Sequence, residues 1–257
     1  MKRIAVISDI HGNIVALKAV LKDIKERQID KIYCLGDILL KGSSPKECLD
    51  LIKESCEVVI LGNCEYYTLH PESSNSSTDK EHRIWYKNKL SNKDIEYIES
   101  LPLYKDIHLS GSLIRMFHAS KDNLFYRVFP TSSINDKLKL FEDDKLSPDI
   151  VIYADIHEQY LNKLGNKTLL NTGSVGNSIN LNSDGLEENN IETTQANYVI
   201  LEGKLNTHEH SSLGIQFIKV PYNIEEELLL AKKKKIPDYE KYEIELLKGK
   251  YRKEIKI

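Results

Sequence analysis

Residues 4–13 read Ile-Ala-Val-Ile-Ser-Asp-Ile-His-Gly-Asn, and the rest of the chain is best understood outward from them. Four apolar residues, three of them strand-favouring, lead directly into Asp9, Ile10 and His11. A buried strand is therefore expected to end in two metal-capable side chains. In an extended backbone, residues two apart share one side, so Asp9 and His11 would point together while Ile10 points away. Alone, an Asp-x-His pair is more often an ordinary turn after a strand than a ligand pair. The remaining residues have to decide.

After His11, Gly12 and Asn13 make a tight turn, and Ile14, Leu17, Val20, Leu21 and Ile24 recur at helical spacing up to Arg27. Lys31 to Leu35 is a second buried strand, closed by Gly36-Asp37. Ser44-Pro45-Lys46-Glu47 combines a capping box with proline at the first helical position and starts a helix running to about Glu54. Glu57 to Leu61 is a third strand, closed by Gly62-Asn63-Cys64-Glu65. Three alternating units predict a parallel sheet covered by helices, with ligands gathered beyond the carboxyl ends of the strands. Asp9, His11, Asp37 and Asn63 all lie at such ends. Turn formers would account for Asp, Asn and Gly there, but not for the histidine.

Residues 66–101 break this rhythm with a polar run and then helical segments carrying His82, Arg83, Trp85 and Leu90. They read as a helical insertion packed over the edge of the site, with Trp85 as an anchor into the core. Ser110-Gly111 predicts a hairpin between Ile107 to Leu109 and Ser112 to His118, whose second strand delivers His118. Lys121 to Pro130 is rich in aromatics and carries Lys121 and Arg127, and Asn135 to Phe141 reads as a short helix. A buried strand, Ile150 to Tyr153, then ends in Ala154-Asp155-Ile156-His157, so Asp-Ile-His returns at a strand tip. Residues 169–176 form a short strand and a glycine-rich loop without the spacing or lysine of a phosphate-cradling P-loop. Asn180 to Glu192 lacks the leading Asp and closing Glu of a calcium loop and reads as a solvated loop. Asn197 to Leu201 and Gly214 to Val220 form a second antiparallel pair. Glu225 to Lys235 and the charged tail to Ile257 read as helices.

These elements describe one domain over residues 1–257, with the insertion at about 66–101 and a C-terminal helical extension at about 223–257. At 257 residues and 40% hydrophobic composition the chain can bury a substantial core. With 36 basic against 39 acidic residues, a net charge of -3, nothing marks nucleic acid or membrane as a partner. No apolar run approaches the roughly 20 residues of a membrane span, and no signal-peptide pattern precedes the first strand. A cytoplasmic location is expected, and the oligomeric state stays open. Cys34, Cys48, Cys56 and Cys64 form no closely spaced pair, so free thiols are expected, with Cys34 in the core.

The ordered set Asp9-x-His11, Gly36-Asp37, Gly62-Asn63, His118 and Asp155-x-His157, with the loop Asn171 to Gly176, resembles the calcineurin-like metallophosphoesterase superfamily over nearly the whole chain. Gly36-Asp37-Ile38-Leu39, Ala196 to Leu201 and the segment from Leu229 through Ile236-Pro237 to Tyr242 are similar to the small bacterial phosphodiesterase branch, and within it to asymmetric diadenosine tetraphosphate hydrolases. The resemblance implies an α/β fold, a two-sheet sandwich flanked by helices, with two divalent metals at the strand tips. It implies that Asp9, His11 and His157 hold one metal, that Asp37 bridges, and that Asn63 and His118 hold the second. Asp155 stands where the family usually places a further histidine ligand. The ions implied are manganese first, with iron, magnesium or zinc as alternatives.

The activity implied is hydrolysis of phosphoanhydride or phosphodiester bonds by in-line attack of a metal-bridging hydroxide, with Asp37, Asn63 and Cys64 at the catalytic positions. Cys64 replaces the histidine that protonates the leaving oxygen or binds phosphate, and a thiol is a poor substitute for an imidazolium near pH 7. A nucleoside polyphosphate leaves as a stabilised anion and needs little protonation, whereas a serine alkoxide needs much. Dinucleoside polyphosphates such as diadenosine tetraphosphate are therefore favoured, with His82, Arg83, Lys121 and Arg127 as cations to hold the phosphates. A Ser/Thr protein phosphatase or general phosphodiesterase is the alternative enzyme. A metal-binding regulatory protein, impaired through Cys64 and Asp155, is the alternative of another class.

Overall fold

The computed structural model describes residues 1–143, 145–179 and 195–250. The stretch Asn180 to Glu192, read as a solvated loop, and the tail beyond residue 250 lie outside the described residues. The first strand, β1 (Lys2–Ile7), is central because both of its faces are covered. Ile4 and Val6 point into a core shared with the second sheet, while Ala5 and Ile7 pack beneath helices. This is why its apolar run is continuous rather than alternating.

The helix α1 (Ile14–Glu26) follows, with Asn13 as its cap and Leu17, Val20 and Ile24 on its buried face. Next come β2 (Lys31–Cys34), α2 (Pro45–Ser55) and β3 (Val58–Val59), and the three strands pair in parallel in the order β1-β2-β3. The third strand is shorter than the expected Glu57 to Leu61, because Leu61 turns away to bond the Pro102 carbonyl. The expected capping box at Ser44 does not form; its hydroxyl instead meets Ser43 and the Lys234 ammonium, and Glu47 also pairs with Lys234.

The helical segment after β3 contains α3 (Asn63–Leu69), α4 (Ser77–Lys87) and α5 (Asn92–Glu99). Within α4, Tyr86 is the buried residue, with Trp85 half-buried against it, so the anchor is one position later than expected. The hairpin β4 (Tyr104–Leu109) and β5 (Ser112–Phe117) turns at Ser110 and Gly111, both at positive φ, as a two-residue hairpin turn requires. After α6 (Ile134–Lys139), β6 (Ile150–Tyr153), β7 (Gln159–Leu164) and β8 (Lys167–Thr172) complete a second sheet in the order β4-β5-β6-β8-β7. Sequence reading missed β7, a half-polar edge strand without a strong apolar alternation. The chain then returns to the first sheet with β9 (Ala196–Gly203) antiparallel to β1 and β10 (Gly214–Val220) antiparallel to β9 at the edge. The first sheet is therefore mixed, with β1, β2 and β3 as its parallel part. Two five-stranded mixed sheets thus pack face to face, flanked by helices.

The last helices, α7 (Ile224–Lys234) and α8 (Tyr239–Lys248), close over the loops that follow β1 and β2. Glu227 of α7 is fully buried and accepts hydrogen bonds from the Ser43 N–H at 3.0 Å and the Tyr242 hydroxyl at 3.2 Å. Burial pushes its carboxyl up from 4.5 to about 7. A folded-state pKa above the unfolded one means that the native state binds more protons between those values, so this contribution falls as pH rises. Stability should decline between about pH 5 and pH 7 through Glu227 by on the order of 2–3 kcal/mol. Urea unfolding of the Glu227→Gln variant across that range should show a flatter profile than the parent. An unchanged slope contradicts this assignment.

Candidate metal centre

Three loops at the carboxyl ends of β1, β2 and β8 are stitched together by backbone hydrogen bonds. Asp9 N–H donates to the Gly36 carbonyl at 3.0 Å, His11 N–H to Asp37 at 2.9 Å and Gly12 N–H to Ile38 at 2.8 Å. Gly176 N–H reaches the Asp9 carbonyl at 2.9 Å from the other side. The approach is so close that a Cβ on Gly176 would meet the Ile10 carbonyl oxygen at 1.8 Å, and one on Gly36 would meet the Gly62 nitrogen at 2.5 Å. Only glycine fits at either crossing.

Asp9, His11, Asp37, Asp155 and His157 all adopt left-handed backbone, with φ of 53°, 50°, 53°, 65° and 63°. The extended geometry expected for Asp9 and His11 is therefore wrong: β1 ends at Ile7, and a turn brings both side chains to the same place. The Asp155-Ile156-His157 segment repeats that turn after β6. Non-glycine residues in this region cost of order 1–3 kcal/mol each, and such strain concentrates at functional sites.

Three imidazoles converge with a common orientation. The Nδ1 atoms of His11, His118 and His157 face backbone carbonyls of Leu39, Leu35 and Asn177 at 3.4, 2.8 and 2.6 Å. A carbonyl can only accept, so each Nδ1 carries a proton and Nε2 is the nitrogen that each ring turns inward. His11 Nε2 and His157 Nε2 lie 3.0 Å apart. Two lone pairs at that distance repel unless a proton or a metal cation lies between them. Asp9 Oδ1, 3.4 Å from His157 Nε2 and 3.9 Å from His11 Nε2, is buried with no hydrogen-bond partner. His118 Nε2 is likewise buried without one, 3.3 Å from Asp37 Oδ1. The sets Asp9, His11, His157 and Asp9, Asp37, His118 each hold their donor atoms within 4.8 Å of one another. This donor chemistry fits divalent cations.

Burial, aided by Lys41 and His157, holds the His11 pKa well below the usual imidazole range, so the ring is neutral, the ligating form. Burial alone would also lower His118, but the carboxylates of Asp37, Asp155 and Asp9 outweigh it and raise its pKa. Burial, with Asp37 and Glu65 adding to it, pushes the Cys64 thiol well above its ordinary value, so it stays neutral. Its Sγ lies 3.9 Å from His11 Nδ1, and its backbone N–H donates to Asp37 Oδ1 at 2.8 Å.

Asn63 begins α3, and its amide nitrogen meets Asp155 Oδ1 at 2.5 Å. Asp155 also accepts from one edge of the Arg127 guanidinium, Nε at 2.7 Å and a terminal nitrogen at 2.9 Å. These residues open into a cleft of about 380 Å³. Arg83 and Arg127 line it, together with Lys41, Tyr67 and Phe125, which sequence reading did not single out. His82 and Lys121 are directed elsewhere: His82 pairs with Asp238 at 3.3 Å, and Lys121 pairs with Asp143 beside Arg115.

Glu65 was also missed. Fully buried, it accepts four backbone N–H groups, from Asp37, Ile38, Leu39 and Gly62, at 2.8–3.0 Å. It therefore moulds the loop that presents Asp37. Burial, with Asp37 nearby, raises its carboxyl to about 7. From the C-terminal side, Glu245 of α8 accepts from the Asn177 amide at 3.2 Å, the residue whose carbonyl orients His157. Neither partnership has a local sequence signal; the only clue was Glu65 following Asn63 by two positions.

A two-sheet sandwich with imidazole and carboxylate groups converging at its strand tips is the architecture of metal-dependent phosphoester hydrolases. The calcineurin-like phosphoesterase family model matches residues 2–169, and the chain belongs to that family. It is 30% identical over 247 residues to the uncharacterized protein MJ0912 of Methanocaldococcus jannaschii, covering 92% of this chain and 94% of that one. A metallophosphoesterase from Sphaerobacter thermophilus shares the fold at a TM-score of 0.74 and 20% identity, over 97% of this chain and 99% of its own. The hypothetical protein PH1004 from Pyrococcus horikoshii OT3 does so at 0.79 and 20% identity, over 98% and 100%. No helix among the described residues is long and apolar enough to cross a membrane.

If Glu65 moulds the Asp37 loop, Glu65→Ala should weaken manganese binding by about 10- to 100-fold, as loss of a supporting contact behind a ligand does. Calorimetric titration of the folded variant reads this directly. An affinity within twofold of the parent contradicts it.

Proposed function

We propose that this hydrolase cleaves dinucleoside polyphosphates, with diadenosine tetraphosphate as the model substrate. The observation that carries the reading is the composition of the cleft. His11, His157 and the carboxylates Asp37, Asp79 and Asp155 line it together with the cations Lys41, Arg83 and Arg127 and the rings of Tyr67 and Phe125. Phe125 is 47% exposed, with the Tyr67 ring 5.3 Å away and the Tyr66 ring at 5.4 Å. The Arg83 guanidinium lies 4.3 Å over Tyr67. Cations draw in a run of phosphates, and exposed rings offer a stacking face to a nucleobase.

Asp9, His11, Asp37 and His157 would hold one divalent ion, and Asn63, His118 and Asp155, sharing Asp37, a second. When bound, such ions neutralise phosphoryl charge and generate a nucleophile at neutral pH, with manganese first and iron, magnesium or zinc as alternatives. Asp37 is held for this by its bonds to Cys64 and by the loop that Glu65 shapes. Cys64, a neutral thiol, neither carries positive charge nor gives up a proton readily. Departure of a stabilised nucleotide anion needs no proton from it, whereas departure of a serine alkoxide would. Arg127 and Lys41 are the cations placed to balance the charge that develops on the leaving phosphate.

Incubation with manganese and diadenosine tetraphosphate should yield ATP and AMP, separable by ion-exchange chromatography. Faster turnover of phosphoserine peptides than of the dinucleotide contradicts the leaving-group argument. Phe125→Ala should raise KM for the dinucleotide by about tenfold, the value of one base–ring stack, with kcat within twofold of the parent. A fall in kcat at unchanged KM counts against stacking.

A further inference from the structure

We propose that Arg127 competes with the second metal for Asp155, so that the chain binds one divalent ion tightly and a second only weakly. The tight ion belongs to Asp9, His11, Asp37 and His157. This rests on the chain's being a metal-binding member of its family and does not depend on which phosphate compound it cleaves.

An ionised carboxylate oxygen offers about two lone-pair positions. Asp155 Oδ1, the oxygen 3.7 Å from His118 Nε2, already accepts from Arg127 at 2.9 Å and from Asn63 at 2.5 Å. Its partner Oδ2 accepts from Arg127 Nε at 2.7 Å. The oxygen that faces the second metal's position is thus fully engaged by N–H donors. Asp155 does not belong to any of the histidine and carboxylate groups whose donor atoms close within 4.8 Å.

The consequence spreads to Asn63. A carboxylate can only accept, so the amide turns its NH2 group toward Asp155 and directs its oxygen away from that side. An imidazole at position 155 would impose no such demand and would not attract a guanidinium. The Arg127–Asp155 pair is bidentate and its carboxylate side chain is 1% exposed, the geometry in which such pairs are strongest. With both lone-pair positions of Oδ1 occupied, a metal ion gains that oxygen only by displacing Arg127 or Asn63. When the second metal is away, Arg127 neutralises Asp155.

The test is metal stoichiometry, read without substrate. The full chain, stripped with a chelator, is titrated with manganese in a calorimeter, and the sample at two equivalents is frozen for electron paramagnetic resonance. One tight equivalent, a second weaker by about a hundredfold or more, and no spin-coupled manganese pair are expected. Arg127→Met, which keeps the aliphatic stem, should tighten the second equivalent by about tenfold or more, and Asp155→His should produce two tight equivalents with the coupled signal. Two equivalents of similar affinity in the parent overturn the proposal, whatever the variants do. So does a second affinity that Arg127→Met leaves unchanged. Absence of any tight equivalent removes the metal site itself, and the proposal with it.

Discussion

Two imidazole nitrogens held 3.0 Å apart, where their lone pairs repel unless a proton or a metal cation lies between, are the constraint on which this structure depends. His11 and His157 cannot turn to relieve it, because their other ring nitrogens are committed to the Leu39 and Asn177 carbonyls. A cation removes the repulsion and also satisfies the buried, unpartnered Asp9 Oδ1 beside them. The left-handed backbone at five candidate ligand positions belongs to the same bargain. Its strain is offset by hydrogen bonds that tie the β1, β2 and β8 loops to one another and by dense packing of the two sheets behind them.

Charge balance then separates this centre from a simple ring of histidines. Asp9, Asp37 and Asp155 gather with the buried Glu65 just behind, and position 64 supplies a neutral thiol in place of a cation. Arg127 meets part of that excess negative charge at Asp155. Positive charge absent from the floor of the site reappears on its wall, where Lys41, Arg83 and Arg127 face the cleft.

Features encoded by short-range pattern were legible in the sequence. The strand–helix alternation around Ile4 to Leu61, the Ser110-Gly111 hairpin and the repeat of Asp-Ile-His at 155–157 all follow from local periodicity and turn chemistry, and all placed candidate ligands at strand tips. What escaped depends on partners distant in sequence. Glu65 serves backbone groups 26–28 residues earlier, Arg127 meets Asp155 28 residues later, and Glu245 reaches Asn177 68 residues back. Those contacts exist only once the sheets have closed. The left-handed turns at Asp9 and His11 were missed for a related reason: an apolar run announces a strand, but only the neighbouring loops determine where it ends.

Crystals soaked in manganese and measured by anomalous diffraction at the manganese edge test the central claim most directly. The account predicts a strong peak among Asp9 Oδ1, His11 Nε2, His157 Nε2 and the Asp37 carboxylate, at ligand distances of about 2.0–2.3 Å. A manganese peak elsewhere, or none between the two imidazoles, would contradict it.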